Sequence, residues 1–287
     1  MIKWVLNKIF WGGFRHLLSD RQYASVRYWL IHGHFPNIEN PVRLSEKIQY
    51  IKLYERNSLR KAVADRIKVR NFVKNRVGEE HLIPQIAVFK ELNRSNWDSL
   101  PNKFVLKASH GSGFIRIVKD KTEENFEEIL AETNKWLSTD YYKFGREWVY
   151  KDLERVIIVE KLLLDESGNV PADYKFHCFN GVVKLIQVDI NRFREQKRFL
   201  FTRSYKPVDA TILYPAGEEL PDKPAELDDA IRVAEKLSKE FTFIRVDLYL
   251  LDGKIYFGEM TNYPGNGFQV FKPESFEIEM GSHLKLD

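Results

Sequence analysis

The sequence predicts an α+β fold in which a helical region precedes two sets of antiparallel strands. Three observations carry that reading. Apolar residues recur at helical spacing up to about Val77, and from Ile83 onward they alternate or gather in shorter runs. Two hairpin signals, Asn180-Gly181 and Asp252-Gly253, stand between alternating stretches. With 287 residues, 44% of them apolar, the chain can bury a substantial core.

Charge and cysteine usage narrow the function classes. A net charge of +4 from 45 basic and 41 acidic residues is small, which argues against a nucleic-acid partner. Cys178 stands alone, so the chain forms no intramolecular disulfide and suits a reducing, cytoplasmic compartment. No apolar run is long enough to span a bilayer.

Taken in order, residues 1–18 place Trp4, Val5, Ile9 and Phe10 at helical spacing, with Lys3, Lys8 and Arg15 interspersed. The stretch lacks the continuous apolar region and cleavage site of a signal peptide. Two readings stay open for it: docking on the body of the protein, or lying in a membrane interface. Residues 21–31 read as a helix capped by Asp20, and 46–54 as one capped by Ser45. Residues 59–77 read as a single amphipathic helix that buries Val63, Ile67 and Phe72 and ends at Gly78. Its basic side chains form a solvated face, Arg66 being the one of functional interest.

Residues 104–108 and 114–118 read as two strands joined by the loop Ser109-His110-Gly111-Ser112-Gly113. Walker and Rossmann loops open a helix, so this loop is neither. A glycine flap between strands can still cover phosphates, because glycines let backbone N–H groups come close, and Lys107 beside it supplies a point charge. His110 has no second histidine at ligand spacing. Residues 122–137 form a surface helix with an acidic first turn, and 155–163 a buried strand ending in Glu160-Lys161.

Residues 173–179 alternate, turn at Asn180-Gly181 and return over 182–188. Lys175 on this strand needs solvent or an anionic partner. Arg192, Arg194, Lys197 and Arg198 make the most basic segment, either a solvated loop or an anion site. Residues 225–240 form an amphipathic helix.

The hairpin over 241–267 brings Arg245, Asp247 and Glu259 to one end, before a loop with Pro264, Gly265 and Gly267. Two carboxylates and a guanidinium suit a divalent cation held against a polyphosphate. The acids can share a cation only from one face of the sheet. A plain two-residue turn at Asp252-Gly253 puts them on opposite faces, so the sequence predicts a bulged three-residue turn with Gly253 left-handed.

The order of these features, in NKFVLKASHGSGF, ERVIIVEKLL, DYKFHCFNGVVKLIQVD and FIRVDLYLLDGKIYFGEMT, with LSEKIQYIKLYERN before them and EMGSHLKL after, resembles the ATP-grasp superfamily. More narrowly it resembles the TupA-like ATP-grasp proteins of teichuronopeptide and polysaccharide biosynthesis. The resemblance implies two α+β lobes whose antiparallel sheets grip ATP: a helical region over 1–80, a small lobe with the flap over 81–160, and a large lobe with the metal site over 161–287. It implies ATP and Mg²⁺ as cofactors. Lys107 then contacts the ATP phosphates and His110, Gly111, Ser112 and Gly113 close over them. Glu160, Lys161 and Leu163 match the adenine hinge, and Lys175 reaches the phosphates. Asp247 and Glu259 match the metal ligands, and Arg245 steadies the transferring group.

This chain departs from the superfamily at two points. Thr261 stands where an asparagine ligand is common, with Asn262 next to it, so either can complete the metal site. Arg66 replaces an early phosphate-contacting lysine. The activity implied is carboxylate–amine ligation through an acyl phosphate, joining an amino acid or peptide to a uronic acid of a cell-surface polysaccharide. Arg198 is then the catalytic-site candidate for gripping the anionic acceptor. The partners implied are small-molecule amines and saccharide-linked carboxylates, in the cytoplasm or at the inner face of the membrane through residues 1–18. Two other classes stay open, a glycosyltransferase of the same pathway and an inactive nucleotide-binding module.

Overall fold

The computed structural model describes residues 2–190 and 196–286. The chain opens with helices α1 (Ile2–Trp11), α2 (Asp20–His32), α3 (Leu44–Tyr54), α4 (Ser58–Ala64) and α5 (Lys68–Val77). Next come β1 (Gln85–Phe89), α6 (Arg94–Asp98), β2 (Phe104–Ala108), β3 (Ile115–Val118), α7 (Phe126–Ser138), α8 (Tyr142–Gly145) and β4 (Ile157–Glu160). The remainder runs β5 (Asp173–Phe179), β6 (Val182–Ile190), β7 (Lys197–Thr202), β8 (Thr211–Ile212), α9 (Leu227–Ser238), β9 (Phe243–Leu251), β10 (Lys254–Thr261), β11 (Phe271–Lys272) and α10 (Glu274–His283).

The named strands pair antiparallel, in a four-stranded sheet of order β1-β4-β2-β3, a five-stranded sheet of order β10-β9-β5-β6-β7, and the small ribbon β11-β8. The fold is thus α+β as the sequence predicts. Because side chains alternate along a strand, the five-stranded sheet separates two chemistries. Phe176, Val188, Phe201, Val246 and Leu248 pack under α9 and α5 in one apolar core. The other face carries Lys175 opposite both Gln187 and Asp247, Asp189 opposite both Asp173 and Arg198, and Arg245 opposite both His177 and Thr261. One end of this polar face is closed by a second core, in which Phe179, Leu200 and Phe243 meet α3 and α10. A third core lies between the four-stranded sheet and helices α6 and α7. Helices α3, α4 and α5 therefore share cores with the five-stranded sheet.

Several local details differ from the sequence reading. Ser19, not Asp20, caps α2: its Oγ accepts from Gln22 N at 3.3 Å while Gln22 Oε1 accepts from Ser19 N at 3.0 Å. Helix α3 starts two residues earlier than predicted, its entry fixed by Glu46, which accepts from the backbone of Asn37, Val42 and Arg43. Ser45 turns instead to the Tyr28 hydroxyl at 2.8 Å. Helix α7 begins at Phe126 because Asn125 caps it, residues 121–123 forming a 3₁₀ turn.

The predicted 59–77 helix is two helices. Asp65 Oδ1 accepts from Ile67 N at 2.9 Å and Lys68 N at 3.3 Å, a local turn that competes with helical pairing and breaks the run. The break turns Arg66 out of the helix surface.

Candidate active site

The position of the acids depends on one glycine. Leu251 pairs with Lys254 across a two-residue turn in which Asp252 and Gly253 have φ of 52° and 72°. The bulged turn predicted at Gly253 is therefore absent. The extra residue lies instead at Gly258, where the register shifts between Phe257 and Glu259 so that Glu259 pairs directly with Asp247. This bulge restores a common face for the two acids. A Cβ at position 258 would lie 3.0 Å from the Asp247 carbonyl oxygen, so the close approach suits glycine.

Around the paired acids the contacts are dense. Arg245 Nε donates to Asp247 Oδ1 and its Nη2 to Asp247 Oδ2, both at 2.7 Å; the same Nη2 reaches Glu259 Oε1 at 3.3 Å and Thr261 Oγ1 at 3.0 Å. Thr261 Oγ1 donates to Glu259 Oε1 at 2.9 Å. From the neighbouring strand Lys175 Nζ donates to Asp247 Oδ2 at 3.0 Å and to Asp173. Burial opposes ionisation of Asp247, but the charges of Arg245 and Lys175 outweigh it and hold the carboxyl well below the usual carboxylate range. Burial likewise disfavours the Arg245 cation, yet Asp247 and Glu259 keep it firmly protonated.

Of the two candidates for a third oxygen, Thr261 lies with the acids. Asn262 is buried and turned to Arg60, its Oδ1 accepting from Nη1 at 3.2 Å and its Nδ2 donating to the backbone carbonyl at 3.0 Å. Arg60 is itself fully buried and forked on Glu55. Among the described residues no cluster of three or more His, Cys, Asp or Glu is arranged to hold a metal ion. Two carboxylates and a hydroxyl nevertheless fit Mg²⁺, which takes one or two protein carboxylates and fills its remaining positions with water and phosphate oxygens.

A small crevice of about 30 Å³ brings the other sheet to this end. Its walls include Arg66, Lys107, Gly111, Tyr150, Glu160 and Glu259. Lys107 Nζ donates to Glu160 Oε2 at 2.6 Å, and Arg70 Nη1 donates to Glu160 Oε1 at 3.2 Å. Arg66 Nη1 donates to the carbonyls of Ala108 at 2.6 Å and Gly111 at 2.7 Å, while its Nη2 lies 3.7 Å from Glu259 Oε2. Arg66 therefore ties the base of the flap to the acid pair, a contact made possible by the break at Asp65. A ligand the size of a nucleotide needs several hundred Å³, more than this crevice offers. A wider groove of about 750 Å³ lies elsewhere, beside His81, Arg232 and Lys254, and contains none of these groups.

The flap is pinned at one residue and open at the next two. Gly111 has φ of 96°, and a Cβ there would lie 2.5 Å from the Tyr141 ring. Ser112 and Gly113 are exposed at the tip. His110 points the other way: it is buried, with Nε2 at 3.1 Å from the Trp136 carbonyl and 3.2 Å from that of Thr139, and burial lowers its pKa. It anchors the flap rather than facing the crevice. Lys161 gives its backbone N–H to Pro84 O at 3.0 Å, and Leu163 is half-buried beyond β4.

Arg198 does not stand ready for an acceptor. Its guanidinium is buried, forked on Asp189 at 2.7 and 2.9 Å, and donates to Ile212 O at 2.8 Å. Arg192 and Arg194, the other arginines of that basic segment, lie outside the described residues.

Sequence reasoning missed several participants. Asp173 stands two residues from Lys175 on one strand face, a signal that alternation carries. Tyr141 lies against Gly111 of the flap and Tyr150 lines the crevice, and the charge of the buried Glu147 acts on both tyrosines and on the buried Lys52. Lys52 Nζ donates to Asn266 O at 2.8 Å; burial pushes the lysine down and Glu147 up, each opposed by the other's charge. No sequence spacing marks that pair.

Comparison with known proteins extends these findings. The TupA-like ATPgrasp family profile matches residues 46–285. No curated protein matches the chain. Among solved structures, D-alanine–D-alanine ligase from Bacillus anthracis, complexed with ATP, is 17% identical with a TM-score of 0.41, over 70% of this chain and 54% of that one. Phosphoribosylamine–glycine ligase from Thermotoga maritima is 14% identical with a TM-score of 0.45, over 73% and 51%. D-alanine–D-alanine ligase from Helicobacter pylori is 11% identical with a TM-score of 0.44, over 85% and 69%. The chain spans about half the length of the first two. The family match covers the region from α3 to the end of α10, and with it both sheets and the crevice between them: the chain belongs to the TupA-like ATP-grasp family.

Proposed function

We propose that this protein is an ATP-dependent carboxylate–amine ligase whose acceptor is a saccharide-linked acid, such as a uronic acid of a cell-surface polysaccharide or its precursor. The observation that carries this reading is the cross-strand pair Asp247 and Glu259, held by Arg245, Thr261 and Lys175, with Glu259 lining one crevice together with Lys107 and Gly111 of the glycine flap. A carboxylate is a poor electrophile, and phosphorylation by ATP makes it reactive towards an amine.

In this reading Asp247, Glu259 and Thr261 hold Mg²⁺. When bound, the ion neutralises charge on the phosphates as a Lewis acid. Lys107 leaves Glu160 to meet phosphate oxygens, and Lys175 adds a buried positive charge beside Asp247. The Nη2 of Arg245, already between the two acids, stabilises negative charge on the reacting acyl centre. The flap closes on its Gly111 hinge and excludes water, which would otherwise hydrolyse the acyl phosphate. Arg198 orders Asp189 beside Lys175 instead of binding the acceptor.

The test is release of ADP and phosphate from ATP and Mg²⁺ with panels of uronic acid glycosides and amino acids. Ligation predicts release only when both an acid and an amine are present, with an amide product of matching mass. Nucleotide binding without turnover across the panels, or sugar transfer without ATP consumption, would overturn the reading.

A further inference from the structure

We infer that α1 and the turn after it bind the surface of an anionic lipid bilayer. Val5, Leu6 and Ile9 share one side of α1, and Phe10 at its edge is the residue that docks, buried against Tyr23, Tyr28 and Phe268. The other large apolar side chains described here are left in solvent: Trp4 is 61% exposed, Ile9 53% and Leu17 81%, with Val5, Trp11 and Phe14 also exposed. Among the described residues of α1 Phe10 alone is buried, with the Arg27 guanidinium 5.4 Å over the Trp11 ring and Arg146 donating to Arg15 O, and so much apolar surface left outside is unusual for a protein that only docks the helix on itself.

Charge selects the occupant. No Asp or Glu precedes Asp20, whereas Lys3, Lys8 and Arg15 do. Lys8 Nζ lies 3.8 Å over the Trp4 ring, and the Arg15 guanidinium 4.6 Å over that of Trp11. Tryptophan paired with a cation beside an aliphatic ridge suits the boundary between headgroups and acyl chains, where the indole is half-wet and the cation meets lipid phosphate. Among the described residues no helix is long and apolar enough to cross a membrane, so contact would be in the plane of the surface. Phe268 directly follows the 3₁₀ turn Pro264–Gly267, whose Asn266 and Gly267 carbonyls accept from Gln49, so the seat of α1 is bonded to the loop after the acid-bearing β10. This surface is independent of the ligase reading, since it needs neither ATP nor an acceptor.

The experiment is co-sedimentation of the full chain with vesicles of phosphatidylcholine alone or mixed with phosphatidylglycerol. The chain should sediment with the anionic vesicles and far less with neutral ones. Trp4→Ser with Ile9→Ser should weaken binding at least about tenfold through lost apolar burial. Lys8→Gln should weaken it about fivefold on anionic vesicles only. All three positions are solvent-exposed, and an unchanged melting temperature reports that each variant folds. Wild-type protein that stays in the supernatant, or a double variant that sediments as wild type does, would overturn the inference. So would concentration-dependent self-association abolished by the double variant in the absence of lipid, which would assign the face to a second copy of the chain.

Discussion

The two sheets that meet at the crevice hold their charges in different ways. In the four-stranded sheet Lys107 and Glu160 sit on neighbouring strands at the rim, each side chain 13% exposed, and Arg70 shares the same carboxylate. In the five-stranded sheet the side chains of Lys175, Asp173 and Asp247 are more deeply buried, at 3–6% exposure, and Lys175 and Arg245 are shared among Asp173, Asp247 and Glu259. A rim pair can exchange one partner for a phosphate without stranding a charge away from water. A buried network cannot, so its geometry is set before any ligand arrives. The first arrangement suits a group that must move and the second a group that must stay.

The largest expected effect comes from breaking the buried side. Asp247→Ala leaves Arg245 and Lys175 without their shared carboxylate, and should lower unfolding stability by about 3–5 kcal/mol as well as abolish turnover. Urea denaturation measures the first, and ADP release the second. A stable, inactive variant would mean that the network relaxes, and would weaken the contrast between the sheets.

Arg198→Ala tests the same network at its other edge. Loss of the fork to Asp189 should cost about 2–3 kcal/mol in denaturant melts. Acceptor KM should move no more than ATP KM; a selective rise in acceptor KM would restore the acceptor-gripping role that the sequence suggests.

Lys107→Ala probes the rim. Stability should fall by about 1 kcal/mol, because Glu160 keeps Arg70 as a partner, while ATP KM rises about tenfold. A stability loss as large as that of Asp247→Ala would erase the distinction.

The last effect is a slope rather than a step. His177 is buried beside the network, and burial together with Arg245 lowers its pKa to about 3. The unfolded chain takes up a proton near the ordinary value of about 6.5 while the folded chain does not, so stability is present above that pH and is lost as pH falls towards 3. His177→Asn should flatten the unfolding free energy against pH across that window, by up to about 1.4 kcal/mol per pH unit in urea melts taken at several pH values.

Much of this was legible in the chain because it depends on near neighbours. The hairpin at Asn180-Gly181, the strand 173–179 and the flap between two strands follow from alternation and turn chemistry, which act over a few residues. The break at Asp65 was not legible: apolar spacing continues through it, and only the side chain's choice of Ile67 N and Lys68 N over solvent ends the helix. The bulge was read correctly as a need but placed at the wrong glycine. Gly253 and Gly258 are equally permissive alone, and pairing with β9 selects the second. His110, Asn262 and Arg198 carry the right chemistry for a ligand, yet each is engaged by groups distant in sequence, at Trp136, Arg60 and Asp189 or Ile212.

By itself the sequence determined the α+β class, the order of the charged strands and the residue types that the chemistry needs. It could do so because pattern and spacing are local properties. The tertiary structure alone decided which of those residues face one another: the Gly258 register that pairs Asp247 with Glu259, the inward turn of Asn262, the burial of Lys175 among acids, and the seat of Phe10 by which α1 docks. Those outcomes depend on which strand lies beside which and on what desolvation leaves a charge to bond with, and neither is written in any one segment of the chain.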